Sequence, residues 1–137
     1  MKLQIIANES QKIEGFETVW SKKDTELSLD EISDNSCELI LAKNTLDENL
    51  DRLKCLKSIV SKVRMNGTVS ISGTDVLCLC KATVCSTINT ETCSSIMSSL
   101  NSIGTVSDVK AALKSMGLTV VSSSIHGVNY EITARRV

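Results

Sequence analysis

Short apolar runs separated by polar segments predict strands in the first third of the chain. Residues 2–7 form one such run, and residues 16–20 and 25–29 alternate apolar and polar side chains, which is the period of a half-buried strand. The run at 37–42 contains adjacent large aliphatic side chains, which is typical of a strand buried on both faces. A sheet with such a central strand needs covering helices.

The clearest helical period follows this strand. We expect Asp47 and Glu48 to lie in the first turn, where the helix dipole favours negative charge. Asn66 and Gly67 are expected to end the helix in the left-handed conformation, and residues 68–72 to form the next strand. The segment therefore predicts a right-handed parallel crossover. The following aliphatic residues recur at three- and four-residue steps: Leu46, Leu50, Leu53, Leu56, Val60 and Val63.

Further helices are expected in the second half of the chain. Within residues 74–106, the segments "DVLCLCKATVC" and the serine-rich "TETCSSIMSSLNSIG" are each compatible with a helix. Ser107 can cap a third helix, and Gly117 can end it.

The chain ends in a predicted hairpin. Residues 118–124 and 128–137 are expected to form two strands joined by a tight turn at His126-Gly127. We find no internal repeat and no linker. The elements together predict one domain, residues 1–137, built on an open, mostly parallel α/β sheet with an antiparallel C-terminal hairpin.

Composition narrows the function classes. The formal net charge is −1 with charges of both signs interspersed, so the chain has no basic surface for nucleic acid. No run of about 18 apolar residues indicates a membrane span, and the N-terminus has no secretory pattern. We therefore expect a cytoplasmic protein that binds neither nucleic acid nor membrane.

The chain contains six cysteines, which raises the question of a metal site, but their spacing does not support one. "CLCKATVC" places three thiols at C-x-C-x4-C, which matches no structural zinc pattern, and the single histidine, His126, lies far along the chain. In a reducing compartment free thiols are the default. We expect the cysteines to be small buried apolar residues and expect no metal site.

The order of these elements resembles a known family. "KLQIIANES" stands where small class I S-adenosylmethionine-dependent methyltransferases have a strand and a G-x-G loop, and "GFETVW" stands where they have "GF-x-N-V-D". "ISDNSCELILAKNTLDEN" is similar to their "PF-x-D-N-S-x-D-x-I-x-A-x-H-x-L-E-H", and "KSIVSKVRMNGTVSIS" to their "R-V-L-K-P-G-G-x-L-x-I". The chain thus resembles the compact forms from bacterial glycan clusters and phages. This resemblance implies a Rossmann-like methyltransferase fold, with S-adenosylmethionine across the carboxyl ends of the strands.

The resemblance also implies a set of site positions, several of which depart from the family pattern. Glycines in the first loop allow the cofactor to approach the backbone, whereas Glu9 adds bulk and negative charge there. Trp20 stands where an acidic residue accepts hydrogen bonds from the ribose, and an indole cannot accept them. Asp24 is a possible replacement from the following loop. The positions matched to the family are Ala7, Asn8 and Glu9 in the first loop, Trp20 at the ribose, Asp34 and Asn35 near the adenine, and Asn44 and Thr45 near the methyl group.

Catalytic residues stay unknown at this stage. His126 falls in the predicted turn, and Asp47 and Glu48 have a sufficient structural role at a helix start. Methyl transfer depends mainly on positioning, so the lack of an acid–base pair does not exclude it.

Two functional hypotheses follow. In the first, the degenerate methyltransferase-like domain binds no cofactor and is a structural or interaction module, with a protein partner or as a homo-oligomer. Such a module would be cytoplasmic or a virion component, for example in a phage particle. In the alternative, the chain is an active S-adenosylmethionine-dependent methyltransferase that acts on a small molecule or a glycan.

Overall fold

The computed structural model describes residues 1–7, 9–21 and 27–137, and of Glu9 only the backbone. The helices of these residues are α1 Arg52–Ser61, α2 Val76–Val84, α3 Thr90–Ser98 and α4 Val106–Ser115. The strands are β1 Lys2–Ile6, β2 Glu17–Trp20, β3 Cys37–Lys43, β4 Val63–Thr74, β5 Leu118–His126 and β6 Asn129–Arg136.

The strands form one sheet with the order β2-β1-β3-β4-β6-β5. The first four strands pair in parallel. β6 runs antiparallel to both β4 and β5, and a turn at Gly127, with a positive φ of 64°, closes the hairpin. The predicted fold class is confirmed, since the sheet is mostly parallel and the C-terminal hairpin is antiparallel.

One face of the sheet carries the apolar core. The registers place Leu3, Ile40, Val69 and Ala134 side by side across β1, β3, β4 and β6, and all four are fully buried. The buried residues of α1 and α4 belong to the same core cluster: Cys55, Leu56, Ile59, Val60, Val109 and Leu113. Helices α1 and α4 therefore cover this apolar face.

The opposite face is polar and half-exposed. Leu39 and Leu41 of β3 lie beside Thr68 and Ser70 of β4, and all four side chains are only half-buried. The prediction that 37–42 is buried on both faces was wrong, because polar side chains line the second face of the neighbouring strand.

The first turn of the predicted long helix is instead a loop. Helix α1 begins at Arg52 and is capped by Asp51, whose carboxylate accepts a hydrogen bond from the Lys54 backbone N–H at 3.0 Å. Leu50 and Leu53, expected to face the core, are 83% and 50% exposed. The residues before α1 are held by hydrogen bonds to other parts of the fold, which override the helical period.

Asn66 and Gly67 do not end a helix. α1 ends at Ser61, β4 begins at Val63, and both residues lie inside this strand, Asn66 with a φ of 63°. The strand register shifts at this place, because Cys37 pairs with Val63 whereas Leu39 pairs with Thr68. The left-handed residue thus marks an irregularity within a strand.

Two further expectations need correction. Residues 27–29, the described part of the predicted strand 25–29, have no strand structure. Helix α4 is capped by Thr105 and not by Ser107: the Thr105 hydroxyl and the Asp108 carboxylate each accept a hydrogen bond from the other residue's backbone N–H. This reciprocal pair satisfies two N–H groups that Ser107 could not satisfy together.

Most of the cysteines are less buried than expected. Cys37 and Cys55 lie in the core, whereas Cys80 and Cys85 are exposed and Cys78 and Cys93 half-buried. In the described part of the chain, no group of three potential metal ligands comes together. Within the same residues, no helix is both long and apolar enough to cross a membrane.

Gly67 provides a test of the irregular strand. A Cβ at this position would lie 2.8 Å from the carbonyl oxygens of Arg64 and Cys37, and neither backbone atom can move freely. We expect Gly67→Ala to lower the free energy of unfolding by about 2 kcal/mol. Urea denaturation measures this change. Asn66→Gly is the control, because glycine adopts the same positive φ readily, and an equal loss in both variants would contradict the steric explanation.

Candidate functional site

The strand order changes direction at β1. The chain passes from β1 outward to β2 and then back to β3 on the other side of β1, so the carboxyl ends of β1 and β3 flank the switch point of the sheet. Ligands of open α/β sheets bind in the crevice outside this point. Ala7, Trp20, Asn44 and Thr45 lie at the carboxyl ends of their strands, on one edge of the sheet.

Two predicted positions, Asp34 and Asn35, do not lie at this edge. Asp34 and Asn35 precede β3 and therefore lie at its amino end, where the Asp34 carboxylate pairs with Lys62 Nζ at 2.7 Å. The Asn35 N–H donates to the Ser61 carbonyl at 3.0 Å. Asn8, the side chain of Glu9, and Asp24 lie outside the described residues.

A side chain of the loop after β1 forms a hydrogen bond to the backbone at the start of that loop. The backbone N–H of Ala7 donates to Oε1 of Gln11 at 3.1 Å. Between β1 and β2, the described residues form only a short 3-10 turn, Glu9–Gln11, and no α-helix. This part of the crevice thus lacks the helix N-terminus that commonly holds the anionic end of a cofactor.

Trp20 ends the edge strand β2 beside Ile6 and is 45% exposed. The next residue, Ser21, donates its N–H to the Ile6 carbonyl at 2.9 Å and its hydroxyl to Glu48 Oε2 at 2.8 Å. A carboxylate therefore does reach the ends of β1 and β2, but Glu48 supplies it from the loop after β3. The sequence did not predict the contact between Glu48 and Ser21, because its one local signal is that Glu48 follows a strand closely.

Asp47 forms the buried centre of this edge. Its side chain is 3% exposed, and its two carboxylate oxygens accept hydrogen bonds from Arg52 Nη1 and from the Thr74 backbone N–H, both at 2.8 Å. Its carbonyl accepts from the N–H groups of Asn101 and Ser102. The prediction that Asp47 and Glu48 lie in the first turn of a helix was wrong. They lie in the loop after β3, and their hydrogen bonds join this loop to the end of β4 and to the segment before α4.

Arg52 extends this network to β6. Its guanidinium lies 3.4 Å from the hydroxyl of the buried Tyr130 and 3.3 Å from that of Ser102. Burial raises the pKa of Tyr130 to about 12, although the nearby Arg52 charge acts in the opposite direction. Burial likewise raises the pKa of Cys55 to about 12, so neither group is ionised at neutral pH.

Asp75 positions the helices that follow β4. Its carboxylate accepts hydrogen bonds from the N–H of Cys78 in α2 at 3.0 Å and from the N–H of Val106 in α4 at 2.9 Å. Burial alone would raise the pKa of Asp75, but these hydrogen bonds, with a further one from Leu77, bring the pKa below its usual value. The carboxylate is therefore stabilised in its charged form.

Two clefts open at this edge and share Asn44 and Asn129. The first, about 370 Å³, lies at the ends of β3 and β4. It is lined by Asn44, Asp47, Glu48, Thr74, Ile96, Ser99, Leu100, Val128 and Asn129. The second, about 380 Å³, extends onto the polar sheet face and includes His126, the exposed last residue of β5. The first cleft combines polar groups, among them the buried Asp47 and Thr74, with the apolar side chains of Ile96 and Leu100.

Thr45 follows Asn44, which lines both clefts, but does not itself line either of them. It is fully buried, and its hydroxyl has no hydrogen-bond partner among the described residues. Its carbonyl accepts a hydrogen bond from the Asn49 amide at 2.7 Å. Thr45 therefore contributes to the rigidity of the loop after β3.

No protein-family profile matches the chain, and no curated protein sequence matches it. Solved structures do match. An S-adenosylmethionine-dependent methyltransferase from Mesorhizobium loti superposes with a TM-score of 0.62 at 9% identity, covering 98% of this chain and 80% of that one. One from Aquifex aeolicus superposes with a TM-score of 0.56 at 14% identity, covering 99% and 69%. The chain has a methyltransferase-like fold.

A further match to this methyltransferase-like domain is a chain of the complex between the Haloferax volcanii Trm112 methyltransferase activator and a protein described as a methyltransferase. The TM-score is 0.59 at 10% identity, and the match covers 92% of this chain but only 64% of that one. The domain thus spans about two thirds of the length of that structure. At these identities the comparisons show the fold alone.

The residues at the carboxyl edge do not fit S-adenosylmethionine in the way that the resemblance implies. The Ala7 N–H is already bonded to Gln11, and Trp20 offers no acceptor for the ribose hydroxyls. The carboxylate of Glu48 already accepts a hydrogen bond from Ser21. The Ala7 N–H and the Ser21 hydroxyl are thus already hydrogen-bonded within the protein.

Asp47 is the first residue to test. Asp47→Asn leaves the largely buried Arg52 without its counter-charge, so we expect a loss of about 3 kcal/mol in the free energy of unfolding. Urea denaturation measures the loss. The matched control is Glu38→Gln, which removes the exposed pair with Arg64 and should change stability by no more than about 0.5 kcal/mol. Similar effects in the two variants would show that Asp47 has no special structural role.

Asp75 predicts a pH dependence with a definite sign. Because its folded-state pKa lies below the ordinary value of 3.8, its charged form stabilises the fold above that pH, and this contribution disappears as the pH falls through the folded-state pKa. Asp75→Asn should therefore be less stable than wild type at neutral pH, and the difference should shrink below pH 3.8. Urea denaturation at several pH values measures the difference. A difference independent of pH would refute the role of the charge.

Proposed function

We propose that this methyltransferase-like domain has lost S-adenosylmethionine binding and acts as a protein-interaction module. The observation that carries the proposal is the closed loop after β1. The Ala7 N–H is bonded to Gln11 where a cofactor would need a free donor, and Trp20 stands at the matched ribose position.

The energetic cost of these departures supports the proposal. A lost polar partner or a steric misfit costs a few kcal/mol, and two such sites are affected. A micromolar affinity corresponds to about 8 kcal/mol, so little binding free energy would remain.

The surface also supports a role in protein contacts. Trp20 is 45% exposed, and Leu77 and Val84 on α2 are 67% and 83% exposed. Met97 on α3 is 41% exposed, and α3 has no buried residue. Tryptophan and methionine are enriched at protein interfaces. The match to a chain of an activator complex is in keeping with such a role for this fold.

An active methyltransferase is the second candidate. The cleft beside Asn44 and Glu48 favours it, since it lies at the carboxyl ends of the strands and its volume of about 370 Å³ suits a small ligand. The substrate would then be a small molecule or a glycan.

Titration calorimetry distinguishes the two candidates. We expect no binding of S-adenosylmethionine or of its demethylated product with a Kd below about 50 μM, because the first loop and the ribose position lack the required groups. The Mesorhizobium loti methyltransferase in the same buffer is the positive control. Binding tighter than this limit by the present chain would refute the proposed function and favour the enzyme.

A further inference from the structure

Strand β5 forms one edge of the sheet and is unusually open. All residues from Val121 to His126 are exposed, whichever face they point to. The strand spans nine residues, Leu118–His126, without an aspartate, glutamate, lysine or arginine. The other edge strand, β2, has only four residues, Glu17–Trp20, and begins with a charge.

Natural sheets protect exposed edges because the free N–H and C=O groups can pair with another strand. β5 has one such protective feature, a register shift between Val120 and Ser122 that leaves Val121 unpaired with β6. After this bulge, Ser122 to His126 pair regularly with β6, and no charge or proline interrupts the outer edge. This segment is therefore able to accept a further antiparallel strand.

The exposed apolar residues of β5 are arranged symmetrically. Val121 is 62% exposed and Ile125 is 47% exposed, and each lies two residues from Ser123. In an antiparallel pair with Ser123 opposite Ser123, each Ser122 lies opposite Ser124 of the other copy, and Val121, the bulge residue, comes opposite Ile125 at the end of the paired segment. Serine residues fill the positions between them. The pattern is complementary to itself, and the absence of charge removes electrostatic repulsion between two copies.

We propose that β5 pairs antiparallel with β5 of a second copy of this chain, about a two-fold axis at Ser123. This inference extends the proposed interaction function by naming its partner. The pairing joins two sheets into one and leaves only the short β2 strands at the outer edges. A two-fold contact of this kind closes on itself and produces a dimer, not a fibre.

Charge substitutions at Val121 and Ile125 test both the pairing and its register. In Val121→Lys/Ile125→Lys, like charges face each other twice, so the dimer Kd should rise by about tenfold or more. In Val121→Asp/Ile125→Lys, each aspartate faces a lysine of the other copy, and the dimer should persist. Sedimentation velocity at concentrations up to about 200 μM measures the association, which we expect in the micromolar range for so small an interface.

The control is Leu77→Lys/Val84→Lys on α2. It replaces two exposed apolar residues and adds the same charge away from β5, so the dimer should persist. A monomeric wild type would overturn the proposal, as would a dimer that survives Val121→Lys/Ile125→Lys. Loss of the dimer in Val121→Asp/Ile125→Lys, or an equal weakening in the α2 control, would overturn it too.

Hydrogen exchange tests the pairing without any substitution. The amides of 121–126 in the wild type should become more protected as the protein concentration rises, whereas those of the opposite edge, β2, should not change. Equal exchange of 121–126 at low and high concentration would contradict the pairing. A monomer that also fails to bind S-adenosylmethionine would refute the dimer and leave the proposed function standing, with a different partner.

Discussion

The carboxylate of Asp47 is buried, and it accepts hydrogen bonds from Arg52 and from the backbone of Thr74. These two contacts, with those of its carbonyl to Asn101 and Ser102, hold together the loop after β3, the end of β4 and the segment before α4. A buried charge needs such partners, because an unpaired one would be strongly destabilising. The carboxyl edge of the sheet is thus fixed by an internal ion pair that requires no ligand.

The same internal pairing continues toward the switch point. Ser21 donates to both Ile6 and Glu48, the Ala7 N–H donates to Gln11, and the Asn44 N–H donates to the Ser72 carbonyl. The bonds from Ser21 to Ile6 and from Asn44 to Ser72 extend the parallel ladders of the sheet by one residue, whereas those to Gln11 and Glu48 are contacts of side chains. The carboxyl edge of the sheet is thus held by both backbone and side-chain hydrogen bonds within the protein.

Local sequence patterns predicted the sheet and its terminal hairpin because strand alternation and turn residues are short-range signals. They failed where long-range contacts decide. The leucine period at Leu46–Leu53 continued through a loop in which Asp47 and Asn49 accept hydrogen bonds from the distant backbone N–H groups of Thr74 and Leu27. Asp34 and Asn35 matched a family motif, but the order of residues did not reveal that they lie at the amino end of β3. Glu48 reaches Ser21 across 27 residues, a contact that no local pattern encodes.

The two faces and the two edges of the sheet differ in how they meet solvent. The apolar face is covered by α1 and α4, while the other presents serine, threonine and charged side chains together with the half-buried Leu39 and Leu41. β2 is short, whereas β5 is long and uncharged. Among the described residues, the outer backbone edge of β5 and the exposed apolar side chains of α2 and α3 are the most open apolar features. The outer surface of the domain, more than the crevice, therefore offers groups that a protein partner could cover.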